Sequence, residues 1–140
     1  MEIRNATELD KEEFSQLYQK LYSPEGTKPP PQDSLPIENP AFFNLPMVAV
    51  EQDTIVGFIW GYVVDFGLKR YGYVEDLYVD EGWRTQGVGG LLLDALKEQF
   101  TCLKTDAVFV TTDKDNHEAI ALYLKAGFEK CPGPWFYWTP

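Results

Sequence analysis

Apolar and polar positions change their period several times along this chain. Residues 1–5 read as a short extended start. Thr7 then offers a helix N-cap, with Asp10 three positions on in a loose capping box. Phe14, Leu17, Tyr18, Leu21 and Tyr22 follow the i, i+3, i+4, i+7, i+8 spacing. That spacing predicts one apolar face of an amphipathic helix ending near Ser23 and Pro24. Residues 23–46 break the pattern, because they hold seven of the ten prolines. Proline fixes φ and lacks an amide donor, so regular helix stops there. A long loop is expected, its Phe42, Phe43 and Leu45 either plugging the core or walling a substrate site.

Beyond it, residues 47–50 and 55–66 read as strands around a polar turn at 51–54, and residues 71–80 as the next strand. Residues 87–100 read as a helix with Val88, Leu91, Leu92, Ala95 and Leu96 on one face. A short apolar strand follows at 107–112. A helix is expected at 116–126, with Ala119, Leu122, Tyr123 and Ala126 aligned and Gly127 as its stop. Residues 128–131 and 135–139 read as closing strands. Helices interleaved with strands imply an α/β fold with a mixed sheet, and no internal repeat is present.

The length of 140 residues fits one domain spanning 1–140, and 44% hydrophobic residues suffice for a core. Twenty-two acidic against twelve basic side chains give a net charge of −10. Phosphate contacts need a basic face, so nucleic acid is excluded as a partner and cationic ligands are favoured. The first fourteen residues lack the apolar stretch of a secretory signal. The apolar run from Ile55 to Val64 falls far short of the roughly 20 residues a membrane helix needs. Cys102 and Cys131 lack metal-like spacing and fit reduced cytoplasmic thiols, although sequence leaves a disulfide open. His117 is the one histidine, which argues against a histidine-based zinc site, and no metal is expected.

The stretch VDEGWRTQGVGGLLL at 79–93 carries the clearest chemistry. A strand ends, a polar turn follows, and glycines open a helix. The first helical amides lack internal acceptors and sit at the positive end of the macrodipole. Glycines let an anion approach that backbone, which makes a phosphate cradle. The dinucleotide fingerprint fails because Leu92 stands where its third glycine belongs, and the P-loop fails because no lysine follows.

Arg84-Thr85-Gln86-Gly87-Val88-Gly89 resembles the acetyl-CoA motif Q/R-x-x-G-x-G/A of the GNAT superfamily of N-acetyltransferases. A second block resembling that family is Asn116, Ala119, Tyr123 and Gly127-Phe128. The resemblance runs from about Ile55 to the C-terminus and implies a mixed, mostly antiparallel central sheet flanked by helices. It also implies acetyl-CoA as co-substrate. The backbone of Arg84, Thr85, Gln86, Gly87, Val88, Gly89 and Gly90 would hold the pyrophosphate, with the Arg84 side chain adding a charge. The pantetheine arm would lie along Leu77, Tyr78 and Val79, and Asn116 would line it, cap its own helix, or both.

Acyl transfer to an amine needs a neutral amine and a proton for the departing thiolate. Glu75 is the candidate base by resemblance to polyamine-type members of the family, with Asp76 as backup. Tyr123 stands where the resembling enzymes place the proton donor, although its spacing equally fits helix packing. Alternate residues Phe58, Trp60 and Tyr62 share a strand face and are expected either in the core or as an aromatic wall beside Glu75 that holds a cation. The expected acceptor is a small cationic primary amine, polyamine-like or lysine-like. A peptide N-terminus or protein lysine is the alternative acceptor, and a non-catalytic acyl-CoA sensor the alternative of another class. The resemblance also allows a homodimer through the late strands, where Trp135 and Trp138 lie.

Overall fold

The computed structural model describes residues 1–22, 42–65 and 69–140. Five strands form one sheet: β1 (Glu2–Asn5), β2 (Phe42–Glu51), β3 (Thr54–Asp65), β4 (Arg70–Val79) and β5 (Ala107–Val110). Their spatial order equals their chain order. The first three pairings are antiparallel and β5 joins β4 in parallel, so the sheet is mixed and mostly antiparallel. Three helices accompany it: α1 (Lys11–Tyr22), α2 (Val88–Cys102) and α3 (His117–Lys125).

Each face of the sheet has its own core. The apolar stripe of α1 places Phe14 and Leu17 on Val48, Ile55 and Phe58. Leu92, Leu93, Leu96 and Phe100 of α2 cover Met47, Ala49, Ile59, Val63 and Val74 on the opposite face. Close approach of α2 depends on Gly61, where a Cβ would stand 2.8 Å from Leu96 Cδ2 and 3.0 Å from Phe100 Cζ. α1 is tied in by its leading turn at Glu8–Asp10. The Asp10 carboxylate there accepts both Arg4 Nη atoms at 2.7 Å, the Thr7 amide at 2.7 Å and the Thr7 hydroxyl at 3.0 Å. The Arg4 guanidinium thereby holds this carboxyl well below the usual carboxylate range.

Two expectations are corrected. The loop expected through Pro46 gives way to strand at Phe42, despite the proline. Pro46 lies just past the end of β1, and its carbonyl accepts the Ala6 amide at 2.8 Å. Its nitrogen therefore faces the side where no ladder bond is required, and β3 pairs with the other side undisturbed. The lid or wall expected at 23–41 lies outside the described residues. The closing strands expected at 128–131 and 135–139 do not form. The Phe128 amide is spent on the Tyr123 carbonyl at the end of α3, and Pro132-Gly133-Pro134 then breaks the run. Trp135, Phe136, Tyr137 and Trp138 are left largely exposed. β-propensity expresses fit to a half-buried pleated surface; Trp135 meets Phe109 of β5 edge-on at 6.1 Å, and the other three rings stay more exposed still.

No helix among the described residues is long and apolar enough to cross a membrane. Both cysteines are free and exposed.

Candidate acyl-transfer site

The site grows from two irregularities in β4. The first is a bulge. Gly61 pairs with Val74 and Trp60 with Asp76, so Glu75 is the extra, unpaired residue. Upstream of it, even-numbered Gly72 and Val74 face α2. Downstream, odd-numbered Leu77 and Val79 pack against the α2 core, while Tyr78 faces Phe58 and α1. The simple alternation that would separate Glu75 from Asp76 therefore does not hold. Glu75 is exposed, and the Tyr62 hydroxyl donates to its Oε2 at a long 3.4 Å. Asp76 is half-buried.

The second irregularity is the end of pairing with β5. The parallel ladder stops at Val74 opposite Val110, while pairing with β3 continues to Val79. Among the described residues, no strand takes the β5-side edge of Leu77, Tyr78 and Val79. Peptide groups on that edge are open to an extended ligand.

An open cleft of about 1070 Å³ adjoins this edge. Its walls come from Leu77 to Asp80 of β4 and its following turn, the N-terminus of α2, and the flank of α3 from Asn116 to Lys125. Gly87 caps α2 at φ +84, in the left-handed region that a Cβ disfavours. The amides of Val88, Gly89 and Gly90 then have no acceptor within the helix, because the ladder begins with Leu91 on the Gly87 carbonyl. Those orphan donors and the positive helix end suit a phosphate.

Arg84 adds a cation to this end of the cleft, whose lining also holds the carboxylates of Asp80, Glu81 and Glu118. Arg84 Nε donates to the Val79 carbonyl at 2.9 Å, and its guanidinium lies 5.4 Å from the centre of the Tyr78 ring. Thr85 has φ +62, an uncommon conformation for a branched residue, and its hydroxyl donates to the Arg84 carbonyl at 2.6 Å. Gln86 turns its amide onto the Gly82 carbonyl at 3.0 Å, so its side chain braces the turn. Asn116 caps α3 through the Ala119 amide at 3.1 Å and lines the cleft as well. Both of its sequence-based roles fit one position.

Lys20 and Lys125 also line the cleft, and the sequence reading did not single them out. Lys20 reaches from α1 to pair with Asp80 at 3.1 Å. No local pattern marks either lysine, since each becomes part of the cleft only when its helix packs beside β4.

Tyr123 leans from α3 onto Phe128, with ring centres 5.8 Å apart. Burial, and then the negative charge of Asp76, push its phenol pKa above 10. Tyr123, Glu75 and Asp76 are not among the residues that line the cleft itself. The expected aromatic wall divides. Phe58 is fully buried beneath Phe14, whereas Trp60 and Tyr62 are half-buried. Trp60 donates to Asn44 at 3.4 Å, and Tyr62 stacks on Tyr73 at 5.2 Å.

Comparison with known proteins matches residues 8–128 to the acetyltransferase (GNAT) family. A 68-residue stretch, 49% of this chain, is 34% identical to the D-amino-acid N-acetyltransferase HPA3 of Saccharomyces cerevisiae, covering 42% of that protein. An uncharacterised N-acetyltransferase of Bacillus subtilis, YhfO, is 30% identical over 62% of this chain and 60% of its own. This chain thus spans about half the length of these relatives. Among solved structures, an aminoglycoside acetyltransferase from an uncultured soil metagenomic sample superposes with TM-score 0.82 at 25% identity, over 99% of this chain and 95% of that one. Aminoglycoside N-acetyltransferase AAC(6')-Iy in complex with CoA shares the fold at TM-score 0.77 and 17% identity, over 99% of both chains. The match over residues 8–128 takes in the glycine-opened helix, the bulged strand and the helix carrying Tyr123, and on it this chain belongs to the acetyltransferase (GNAT) family.

Proposed function

We propose that this protein transfers the acetyl group of acetyl-CoA to a primary amine on a small cationic acceptor. The observation that carries the reading is the cleft at the head of α2. Orphan amides and Arg84 there adjoin the open β4 edge at Leu77, Tyr78 and Val79, and Glu75 and Asp76 come just before that edge in the chain. The donor set fits CoA: neutral amides and cations for the phosphates, and strand-like peptide groups for the amides of the pantetheine arm. CoA supplies the acetyl group as an activated thioester. A free peptide amide on the open edge would stabilise charge developing on the thioester oxygen.

The acceptor arrives protonated, and an ammonium has no lone pair to attack with. Glu75, exposed at the bulge, takes that proton directly or through a water, and Asp76 stands next to it as the alternative base. The amine nitrogen then bonds to the acyl carbon to give a tetrahedral intermediate, the carbon–sulfur bond breaks as it collapses, and the nitrogen's second proton passes to solvent, leaving the neutral amide. Tyr123 gives its hydroxyl proton to the departing thiolate and regains one from solvent. A phenol held above its ordinary pKa is protonated at neutral pH, as a donor must be. Trp60, beside Asp76 on the neighbouring strand, offers a ring face to the acceptor cation. Cys102 and Cys131 have no part in a direct transfer.

The test is thiol release from acetyl-CoA across polyamines, lysine-like amines, amino acids, aminoglycosides and peptides. Amine-dependent release with small cations supports the reading. A preference for peptides moves the acceptor to protein. CoA-dependent thermal stabilisation without turnover on any amine makes the domain a sensor. The reading also includes a cytoplasmic protein, and a homodimer formed through the four exposed aromatics at 135–138. Light scattering at the monomer mass removes the dimer.

A further inference from the structure

α3 carries Tyr123 and opens on Asn116, yet none of its residues is fully buried. Leu122, Tyr123 and Ala126 lean on the core as half-buried contacts. A nine-residue helix so held belongs to the low end of local stability. A proton donor, in contrast, tolerates little displacement. The C-terminus of this helix is fastened from outside. Lys97 Nζ, on α2, donates to the Ala126 carbonyl at 2.5 Å. Carbonyls of a last turn lack helical partners and sit at the negative end of the macrodipole, where an ammonium is favoured. The preceding carbonyls are already used: Leu122 and Leu124 accept the Ala126 amide, and Tyr123 accepts that of Phe128. The lysine itself stands among the best-fixed residues of the molecule, since Leu93, Leu96 and Phe100 around it are fully buried.

We propose that Lys97 is a positioning residue for acyl transfer: by clamping the end of α3 to α2 it fixes the Tyr123 hydroxyl relative to the cofactor cradle at the head of that same α2. The assignment rests on the reading of Tyr123 as proton donor. Through α2 the clamp links the end of α3 to the cradle.

Lys97→Met keeps most of the apolar stem and removes the donor, whereas Lys97→Arg retains one. Steady-state kinetics of Lys97→Met are expected to show kcat reduced about 10- to 100-fold. Its KM for acetyl-CoA stays within about twofold, since the cradle is untouched. Lys97→Arg recovers most of the loss. In a Tyr123→Phe background, Lys97→Met costs nothing further, because both act through one hydroxyl. Hydrogen exchange reads the clamp without activity: amides of 122–127 exchange faster in Lys97→Met, while those of 92–100 do not. Additive losses in the double variant overturn the assignment and leave the donor reading standing. Normal turnover by Tyr123→Phe overturns both. Exchange rising equally through α2, with a parallel fall in unfolding midpoint, reduces Lys97 to a stability role and overturns the assignment too.

Discussion

The Asp10 carboxylate allows one effect to be worked through from its contacts. It is 8% exposed and accepts four hydrogen bonds, two of them the forked pair from Arg4. Asp10→Asn keeps the shape but leaves one acceptor oxygen and introduces an NH₂ group. In either orientation that group faces an Arg4 nitrogen, and on the Oδ2 side the Thr7 amide and hydroxyl as well. At least one charge-assisted bond is lost and the other loses its anionic partner, each worth roughly 1.5–3 kcal/mol. Arg4 is 35% exposed and regains water, which discounts the total. The expected loss is about 2–4 kcal/mol, or a melting point lower by roughly 8–15 °C for a chain of this size. Because Arg4 lowers the folded-state pKa of Asp10, its contribution is complete above the unfolded carboxylate range. It drains away as pH falls below about 4 and the unfolded chain takes up the proton first. Urea unfolding followed by tryptophan fluorescence at pH 7, 5 and 3 therefore shows a gap between the two proteins that narrows with acid. A gap under about 0.5 kcal/mol at pH 7, or one that is constant down to pH 3, refutes the reasoning.

Gly61→Ala forces a methyl against Leu96 and Phe100, and is expected to cost about 1–3 kcal/mol in urea unfolding without changing the slope. Gly87→Ala places a Cβ at φ +84 where α2 begins, adding about 1–2 kcal/mol of strain to the cradle. The KM for acetyl-CoA should rise several-fold up to about tenfold, with kcat less affected. Tyr123→Phe should lower kcat by about 10²-fold or more, with acetyl-CoA binding by calorimetry unchanged. Asp76→Asn removes the charge that disfavours the phenolate, so the alkaline limb assigned to Tyr123 should move down in pH. A limb that moves upward contradicts that cause.

Much of this architecture was legible because local signals agreed with the tertiary result. The helical spacing of Phe14, Leu17 and Leu21 described the face that α1 buries. Gly87 located the head of α2 because a left-handed cap favours that residue type. What stayed hidden depends on distant chain. Pro46 argued against strand until β1 was seen to end beside it. Phe58 and Trp60 share a strand face, and only the reach of α1 decides that one is sealed and the other half-open. Lys20, Lys97 and Lys125 look alike in sequence. In the fold, one pairs with Asp80, one holds the end of α3 and one flanks the cleft.

The net charge of −10 raises a last question, since the proposed co-substrate is itself an anion. Two ranges of electrostatics separate its effects. At short range acetyl-CoA would meet orphan amides together with Lys20, Arg84 and Lys125, but also Asp80, Glu81 and Glu118 of the same cleft. At long range it meets the acidic surplus of the whole molecule. Salt screens attraction and repulsion alike, so its effects on acetyl-CoA binding oppose each other. A cationic acceptor bound as proposed would experience attraction at both ranges, toward Glu75 and Asp76 locally and toward the acidic molecule beyond. Raising ionic strength from about 0.05 to 0.3 M shortens the screening length from roughly 14 to 6 Å. The acceptor KM is expected to climb several-fold over that span, and the acetyl-CoA KM to move much less. The same titration with a neutral-bodied monoamine should show a smaller climb than with a polyamine. Equal responses of the two amines would place the acidic surplus away from the acceptor's path, and a salt-independent acceptor KM would remove charge from the account of acceptor choice.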